Sequence, residues 1–524
     1  MRVLIFHGYL LRGTGSNVYT ASLARALVSL GHEVHLLCQE QRAAEFDFVD
    51  AVARWQDERL FVEVLRRPVR CTVYLPDIDG LLPVYVADRY DGVVARPFPQ
   101  LTEDEIERYV AANVAAVRDV ADRATPQVAL ANHLVMGPAV LARALGGDIP
   151  YAVKIHGSAL EYTVRPHSMR FLPYARAGVD RASGVLVGSR HVAESLWETL
   201  DMPGLPERTR LGPPGVDVLA FRPLPAEHAR EGLRALADRL AGRTAVWGGE
   251  AGAAETLRAA DPGRDRIVSY FGKLIVSKGV DLLVAAWPLV VADVPNARLV
   301  ITGFGAYRGA LAELVRVIGD GDLAAARHIA ARGRELEGGE PGELRYLAAF
   351  LDGMEGERRA RYLAAASDAM ARVHFTGRLE HNDLPNLLAA CEAHVVPSTF
   401  PEAFGMVAAE GACCGSFPIS AAHSGLAEVT AALAPALDAD LRALLSFDLG
   451  KGAVGAIAGR LVNLLTLDAG RREQAVASLA ARARARYSWQ PVAQGVIAAA
   501  EGRLAEIPRV PAAELQLPGR RGWP

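Results

Sequence analysis

The chain has 524 residues, 51% of them hydrophobic and 22% charged, with a formal net charge of −3. That length exceeds the needs of one core and predicts two or three domains at ~100–200 residues each. The composition excludes a disordered chain, and the small net charge excludes the strong positive field of a nucleic-acid binder.

The five cysteines, Cys38, Cys71, Cys391, Cys413 and Cys414, include no C-x-x-C. Four lie in or beside apolar runs, as small buried residues do, so a reducing cytoplasmic location is expected. No stretch of ~18 apolar residues lacks charges, so no membrane span is expected. Docking on a membrane surface stays open.

Residues 2–6 (RVLIF) read as a core strand, too soon broken by His7-Gly8 for a signal peptide. A loop with Gly13, Gly15 and Asn17 comes next. Leu23, Ala26, Leu27 and Leu30 share a helical face over 18–30, Gly31 ends it, and 33–38 is the next strand. This is a βαβ unit with a parallel sheet. The glycine loop lacks a full G-x-G-x-x-G and a P-loop lysine, so a tight turn is as good a reading as a phosphate loop. Residues 41–110 carry weaker patterns, with strands and loops over 66–83. Asp77-x-Asp79, between Pro76 and Gly80, and Asp438-x-Asp440 read as turns, so no metal site is expected.

A helix over 103–124, a strand over 127–132 and a helix over 137–145 come next. The strand over 150–155 stops at His156-Gly157-Ser158. A histidine at the carboxyl end of a parallel strand sits where open α/β sheets bind ligands; the alternative is a satisfied polar loop residue. A further strand-to-loop junction at 184–189 precedes a helix from 191. Residues 222–263 hold a polar helix and a Gly/Ala-rich stretch, and read as an interdomain segment.

The second half opens with a strand over 267–271, then Gly272-Lys273 and Lys278-Gly279. A strand over 298–302 meets Gly303. Residues 310–370 are helical and look inserted, with no chemistry assigned. A strand over 373–377 leads to Arg378, a helix covers 384–391, and 393–396 is a buried strand. The chain is organised around the stretch PSTFPEAFGMVAAEG at 397–411. Pro397 ends the strand, and Gly405 opens a run of helix formers. Free N–H groups and the dipole at that helix N-terminus favour a phosphate. Glu402 and Glu410 bracket the place. Carboxylates beside a diphosphate are tolerated if they bind hydroxyls instead, which points to a nucleotide sugar.

The pattern PSxxPExFGxxxxE, with Glu402-x7-Glu410, resembles the signature of the retaining glycosyltransferases of family 4, which include glycogen-synthase-like and sucrose-phosphate-synthase-like enzymes. Pro213-Pro-Gly-Val-Asp217 resembles the family's P-x-G-V-D, and Ser424-Gly-Leu-Ala-Glu428 its G-x-x-E. Lys278 matches a family lysine. Lys273 stands where the family usually has arginine, keeping the charge but losing the bidentate fork. The resemblance covers about 1–220 and 265–505.

It implies an α/β chain of the GT-B fold, two Rossmann-like doubly wound domains facing a cleft. The acceptor-side domain is expected at 1–220, an interdomain segment at 221–264 and the donor domain at 265–488 with the insertion at 310–370. A last helix at 489–507 should cross back to the first domain, and 508–524 is a loose tail. The resemblance assigns catalysis to His156, Lys273, Lys278 and Glu402. It assigns donor binding to Gly13, Gly15, Asn17, Lys273, Lys278, Gly303, Arg378, Glu402, Ala403, Phe404, Gly405, Met406, Val407 and Glu410. His133, His156 and Gly157 fall on the acceptor side. Glu402 should hold donor-sugar hydroxyls, Glu410 the ribose, and the two lysines the departing diphosphate.

The expected reaction moves a sugar from a nucleotide diphosphate sugar, a UDP-sugar ahead of GDP-mannose, to a sugar, polyol or lipid-linked acceptor. No cofactor or metal is needed in that scheme, and no nucleic acid takes part. Oligomerisation through the insertion fits the pattern. The alternatives are a nucleotide-sugar epimerase, a sugar phosphorylase, or a non-catalytic nucleotide-sugar-binding scaffold.

Overall fold

The computed structural model describes residues 1–56, 59–85, 94–242 and 248–511. The chain divides into two units, one of residues 1–215 with those from 487 onward, the other of residues 216–486.

The strands of the first unit are β1 (Arg2–Phe6), β2 (Glu33–Leu37), β3 (Ala51–Gln56), β4 (Arg59–Val64), β5 (Cys71–Leu75), β6 (Leu81–Val84), β7 (Val94–Pro97), β8 (Val128–Asn132), β9 (Tyr151–Ile155), β10 (Gly184–Val187) and β11 (Thr209–Leu211). Nine of them form one sheet in the order β11-β10-β9-β8-β1-β2-β5-β3-β4, and β6 pairs with β7. All neighbours in the nine-stranded sheet are parallel except β3 and β4. Strands β5, β8, β9 and β10 are buried throughout, as expected for a parallel sheet covered on both faces. The first helix, Gly15–Ser29, starts three residues earlier than its apolar face suggests, because Thr14 is already extended and Gly15 takes the first helical position. Helix Glu103–Ala124 is fixed by a capping box between Thr102 and Glu105.

Helix Trp489–Ala500 belongs to the first unit. Its Ala493, Val496 and Ile497 share a core with Val3, Ile5 and Leu23. Gly215 lies against the Trp489 ring, where an added Cβ would come within 2.5 Å.

The second unit holds β12 (Arg266–Phe271), β13 (Ala297–Thr302), β14 (Val373–Gly377), β15 (Ala393–Val396), β16 (Phe417–Ala421) and β17 (Ser446–Phe447). They form one parallel sheet in the order β14-β13-β12-β15-β16-β17. The stretch read as interdomain, 221–264, is part of this unit. Its helices Ala226–Ala241 and Ala253–Ala259 bury Leu233, Leu236 and Leu257, and Arg239 pairs with Asp383 at 3.0 Å. Those apolar faces need a core, which a free linker would not give them. The insertion contains helices Arg308–Gly319, Leu323–Arg332, Arg345–Asp352 and Gly356–Met370. Tyr362 anchors it by donating to Ala285 O on helix Val280–Val291 at 3.0 Å.

Each sheet has one place where successive connections run off in opposite directions. In the first unit it lies between β1 and β8, in the second between β12 and β15. In open α/β sheets ligands bind outside the carboxyl ends of the strands at such a point.

Candidate functional site

In the second unit the loops after β12 and β15 flank the switch point and are packed together by glycine. Gly279 has φ +64°, and a Cβ there would come within 2.1 Å of Pro397 O. Thr399 N donates to Ser277 O at 2.9 Å. The Val276–Lys278 turn is thereby laid on the strand end that Pro397 terminates, and the Lys278 ammonium ion-pairs with Glu402. Ser398 Oγ donates to the same carboxylate. Glu402 N donates to Ser424 Oγ at 2.8 Å, and Gly425 N to Glu402 O at 3.0 Å. Burial pushes the Glu402 carboxyl up, but Lys278, Ser398 and His423 outweigh it and hold it below the usual glutamate value. The residue is an anion with a fixed orientation.

Past Glu402 the chain turns at Gly405 (φ +112°) into helix Met406–Cys414, whose first turn has no side-chain cap. The backbone of Ala403, Phe404, Gly405, Met406 and Val407 therefore borders a helix N-terminus whose cap residue, Gly405, offers no side-chain acceptor. Lys273 lies half-buried in the loop after β12, its carbonyl accepting from Tyr270 Oη at 2.9 Å. Gly303, after β13, is required by close packing: a Cβ would come within 1.8 Å of Gly272 O. Arg378, after β14, stands over the Phe304 ring at 5.8 Å and pairs with Glu380 at 3.1 Å.

Glu410 is buried, with 2% exposure, and its carboxylate lies 2.7 Å from His381 Nε2. Burial opposes charge on His381, but Glu410, aided by Asp217, outweighs it and raises the imidazole above its ordinary value. His381 packs on Phe221 at 5.0 Å. The sequence reading missed His381, because its partner is 29 residues away across β15. It also missed His423, which bridges Ser398 O at 2.8 Å and Ser424 Oγ at 3.0 Å.

In the first unit the residues at the β1/β8 switch point form an aromatic and imidazole cluster. His7 stacks on His133 at 5.7 Å, His133 lies 4.9 Å from His156, and Tyr19 meets His156 edge-on at 4.9 Å. His156 Nε2 is 2.7 Å from Asn132 Oδ1. His133 is buried at φ +67°, and among the described residues neither of its ring nitrogens has a hydrogen-bond partner. Burial lowers all three histidines, His7 to about 4, so each is neutral at neutral pH. Lys154, one residue inside the end of β9, is also buried; burial lowers it to about 7, and it donates to Gly212 O.

Asn17, expected to face the donor, is fully buried. It spans His7 Nε2 at 3.1 Å and Arg12 O at 2.6 Å, tying down the glycine loop. Gly13 (φ +91°) and Gly15 are exposed, with nothing within 4 Å of an added Cβ. Gly157 (φ +90°) turns the chain after His156. Asp77 accepts from Asp79 N at 3.1 Å in a turn, and Asp438 precedes the short helix Ala439–Arg442. Among the described residues no group of three His, Cys, Asp or Glu side chains is arranged to hold a metal ion. No single described helix is long and apolar enough to cross a membrane.

Residues 13–218 match the family model Glycosyltransferase Family 4, and residues 339–435 match Glycosyl transferases group 1. Together the two matches take in more than half of the chain. The chain belongs to glycosyltransferase family 4. Among curated proteins, this family 4 chain is 33% identical over 129 residues to the D-inositol 3-phosphate glycosyltransferase of Mycobacterium bovis BCG, and equally to that of Mycobacterium tuberculosis. The alignment spans 24% of this chain and 24% of theirs, so about a quarter of those relatives' length.

Similar solved structures include sucrose-phosphate synthase from Thermosynechococcus elongatus (17% identity, TM-score 0.54, 96% of this chain and 99% of that one). The catalytic domain of starch synthase IV from Arabidopsis thaliana, bound to ADP and acarbose, gives 14%, 0.57, 96% and 99%. Anabaena HepE, in complex with UDP and glucose, gives 16%, 0.52, 94% and 98%. These likenesses carry the fold, which is GT-B.

Proposed function

We propose that this family 4 protein is a retaining, metal-independent glycosyltransferase using a nucleotide diphosphate sugar as donor, with a sugar, polyol or lipid-linked hydroxyl as acceptor. The observation that carries the reading is the Lys278–Glu402 pair at the second sheet's switch point, beside the uncapped helix after Gly405. A cation and a helix N-terminus suit a diphosphate, and an oriented carboxylate suits sugar hydroxyls.

In this scheme the bond from the anomeric carbon to the diphosphate oxygen breaks, and its electron pair leaves with the diphosphate. Lys278, Lys273 and the helix N-terminus stabilise the charge that develops. The acceptor oxygen bonds the anomeric carbon on the same face, and its proton passes to the departing diphosphate oxygen. Glu410, oriented by His381, accepts from the ribose hydroxyls. A neutral His156 offers a hydrogen-bonding nitrogen without adding charge. Its surroundings support that, because burial keeps it unprotonated.

The UDP in the HepE structure and the ADP in the starch synthase structure support a nucleoside diphosphate. UDP-sugars are placed ahead of GDP-mannose. The name of the mycobacterial relatives supports a polyol-type acceptor. A cytoplasmic site of action fits such donors.

The experiment is a panel of UDP-glucose, UDP-N-acetylglucosamine, ADP-glucose and GDP-mannose, each with and without inositol phosphate, glucose and lipid-phosphate acceptors. Release of the nucleoside diphosphate that depends on an acceptor, with a new glycoside formed, is the expected result. Sugar epimerised without transfer, cleavage that requires inorganic phosphate, or binding without turnover would each contradict it.

A further inference from the structure

The helical insertion reaches the loop that carries Lys278 through the Glu337 side chain. Between helices Leu323–Arg332 and Arg345–Asp352 the chain makes a closed tip. Gly333 (φ +52°) bridges to Gly342, where an added Cβ would come within 1.4 Å of Gly342 O. Arg334 N donates to Gly342 O at 3.3 Å, and Gly339 N to Arg334 O at 2.9 Å. This tip presents the turn Arg334–Glu337. The Glu337 side chain is only 11% exposed, and its Oε2 accepts from Val276 N at 2.7 Å. Its other oxygen lies 3.3 Å from Arg334 Nε.

Val276 opens the 3-10 turn Val276–Lys278, which has no cap from its own flanking residue Ile275. The N–H at the start of such a turn has no partner within it, and a carboxylate there is both a hydrogen-bond acceptor and a favourable charge. On its far side the same turn is held by Thr399 N on Ser277 O and by the contact of Gly279 with Pro397. The segment bearing Lys278 is therefore clamped between the insertion and the loop that carries Glu402.

We propose that Glu337 is a positioning residue for transfer: it caps the Val276–Lys278 turn and so fixes where the Lys278 ammonium stands. The insertion is then part of the donor site's support. This rests on the reading of Lys278 as the group that meets the departing diphosphate. A misplacement of about 1 Å in a group of this kind costs on the order of 10²-fold in rate.

The test is a double-mutant cycle with Glu337→Ala, Glu337→Gln and Lys278→Ala, using the most active of the four donor sugars above. Readouts are kcat and KM for nucleoside diphosphate release, and Tm without ligand. Glu337→Ala should lower kcat by ~10- to 10²-fold and change donor KM by less than ~3-fold, since the lost interaction acts on the bond-breaking step. Glu337→Gln, whose amide oxygen can still accept from Val276 N, should keep most of the rate. In the Lys278→Ala background Glu337→Ala should cost almost nothing more, because the group it positions is gone. Near-normal kcat in Glu337→Ala, with Lys278→Ala slowed ~10²–10³-fold, overturns the inference alone. A full further loss in the double variant also overturns it, showing general damage instead of positioning. Near-normal turnover in Lys278→Ala overturns the reading of the site and this inference with it.

Discussion

The Lys278 ammonium and the Glu402 carboxylate form an ion pair joining the loop after β12 to the loop after β15, across the point where the second sheet changes direction. The pair is neutral as a whole. A bound diphosphate must share Lys278 with Glu402, so the carboxylate orients the lysine and limits its grip on the anion.

Glu402→Gln should therefore act in two directions. With the carboxylate charge gone, Lys278 is freer to attract the phosphates, and UDP should bind several-fold more tightly. Turnover should fall by ~10-fold or more, because the lysine loses its fixed position and the sugar hydroxyls lose a charged acceptor. Calorimetric titration with UDP and a steady-state assay separate the two effects.

Glu410 and His381 should show a pH signature. The imidazole is raised above its ordinary value of 6.5 by its partner, so the pair's contribution is complete below that value. It is lost as pH rises through the raised value in the folded protein. The Tm difference between wild type and His381→Asn should be largest near pH 6 and shrink toward pH 9. Glu410→Gln should weaken UDP binding by ~10-fold, the order of one charge-assisted hydrogen bond.

The sequence made the strand ends of the site legible, because apolar runs such as 2–6 and 393–396 are punctuated by His7-Gly8 and Pro397. Helix Met406–Cys414 was readable from Gly405 for the same reason. The antiparallel pair β3 and β4 was not: β4 lies at the sheet edge with five of its six residues exposed, and so carries no burial pattern. The stretch 221–264 reads as interdomain because the apolar faces of its helices are set among charges, whereas the structure packs them into the second unit. His381 and Glu337 escaped notice since each acts on a partner distant in sequence, and no local spacing records such a pairing.

Lys154 is a cost that the first unit carries. Burial lowers it from 10.5 to about 7, so between those values the unfolded chain holds the extra proton. Stability should then rise with pH across that window, by up to ~1.4 kcal/mol per pH unit from this one group. Lys154→Met should flatten that part of the profile in denaturant unfolding followed at pH 7, 8, 9 and 10.

Transfer should survive a chelator. In the proposed scheme lysines and a helix N-terminus meet the diphosphate, so EDTA should leave the rate within ~2-fold of its value without chelator. Loss of activity restored by magnesium or manganese would place a cation at the leaving group.

The central claim is that Lys278 stabilises the charge that grows on the leaving diphosphate. The direct measurement is the single-turnover rate of Lys278→Ala at saturating donor and acceptor, alongside its ligand-free Tm. The expected result is a rate reduced by ~10²–10³-fold in a protein that still unfolds cooperatively, at a Tm lowered by loss of the pair with Glu402. A Lys278→Ala protein that turns over at near the wild-type rate would contradict it and move the leaving-group site elsewhere.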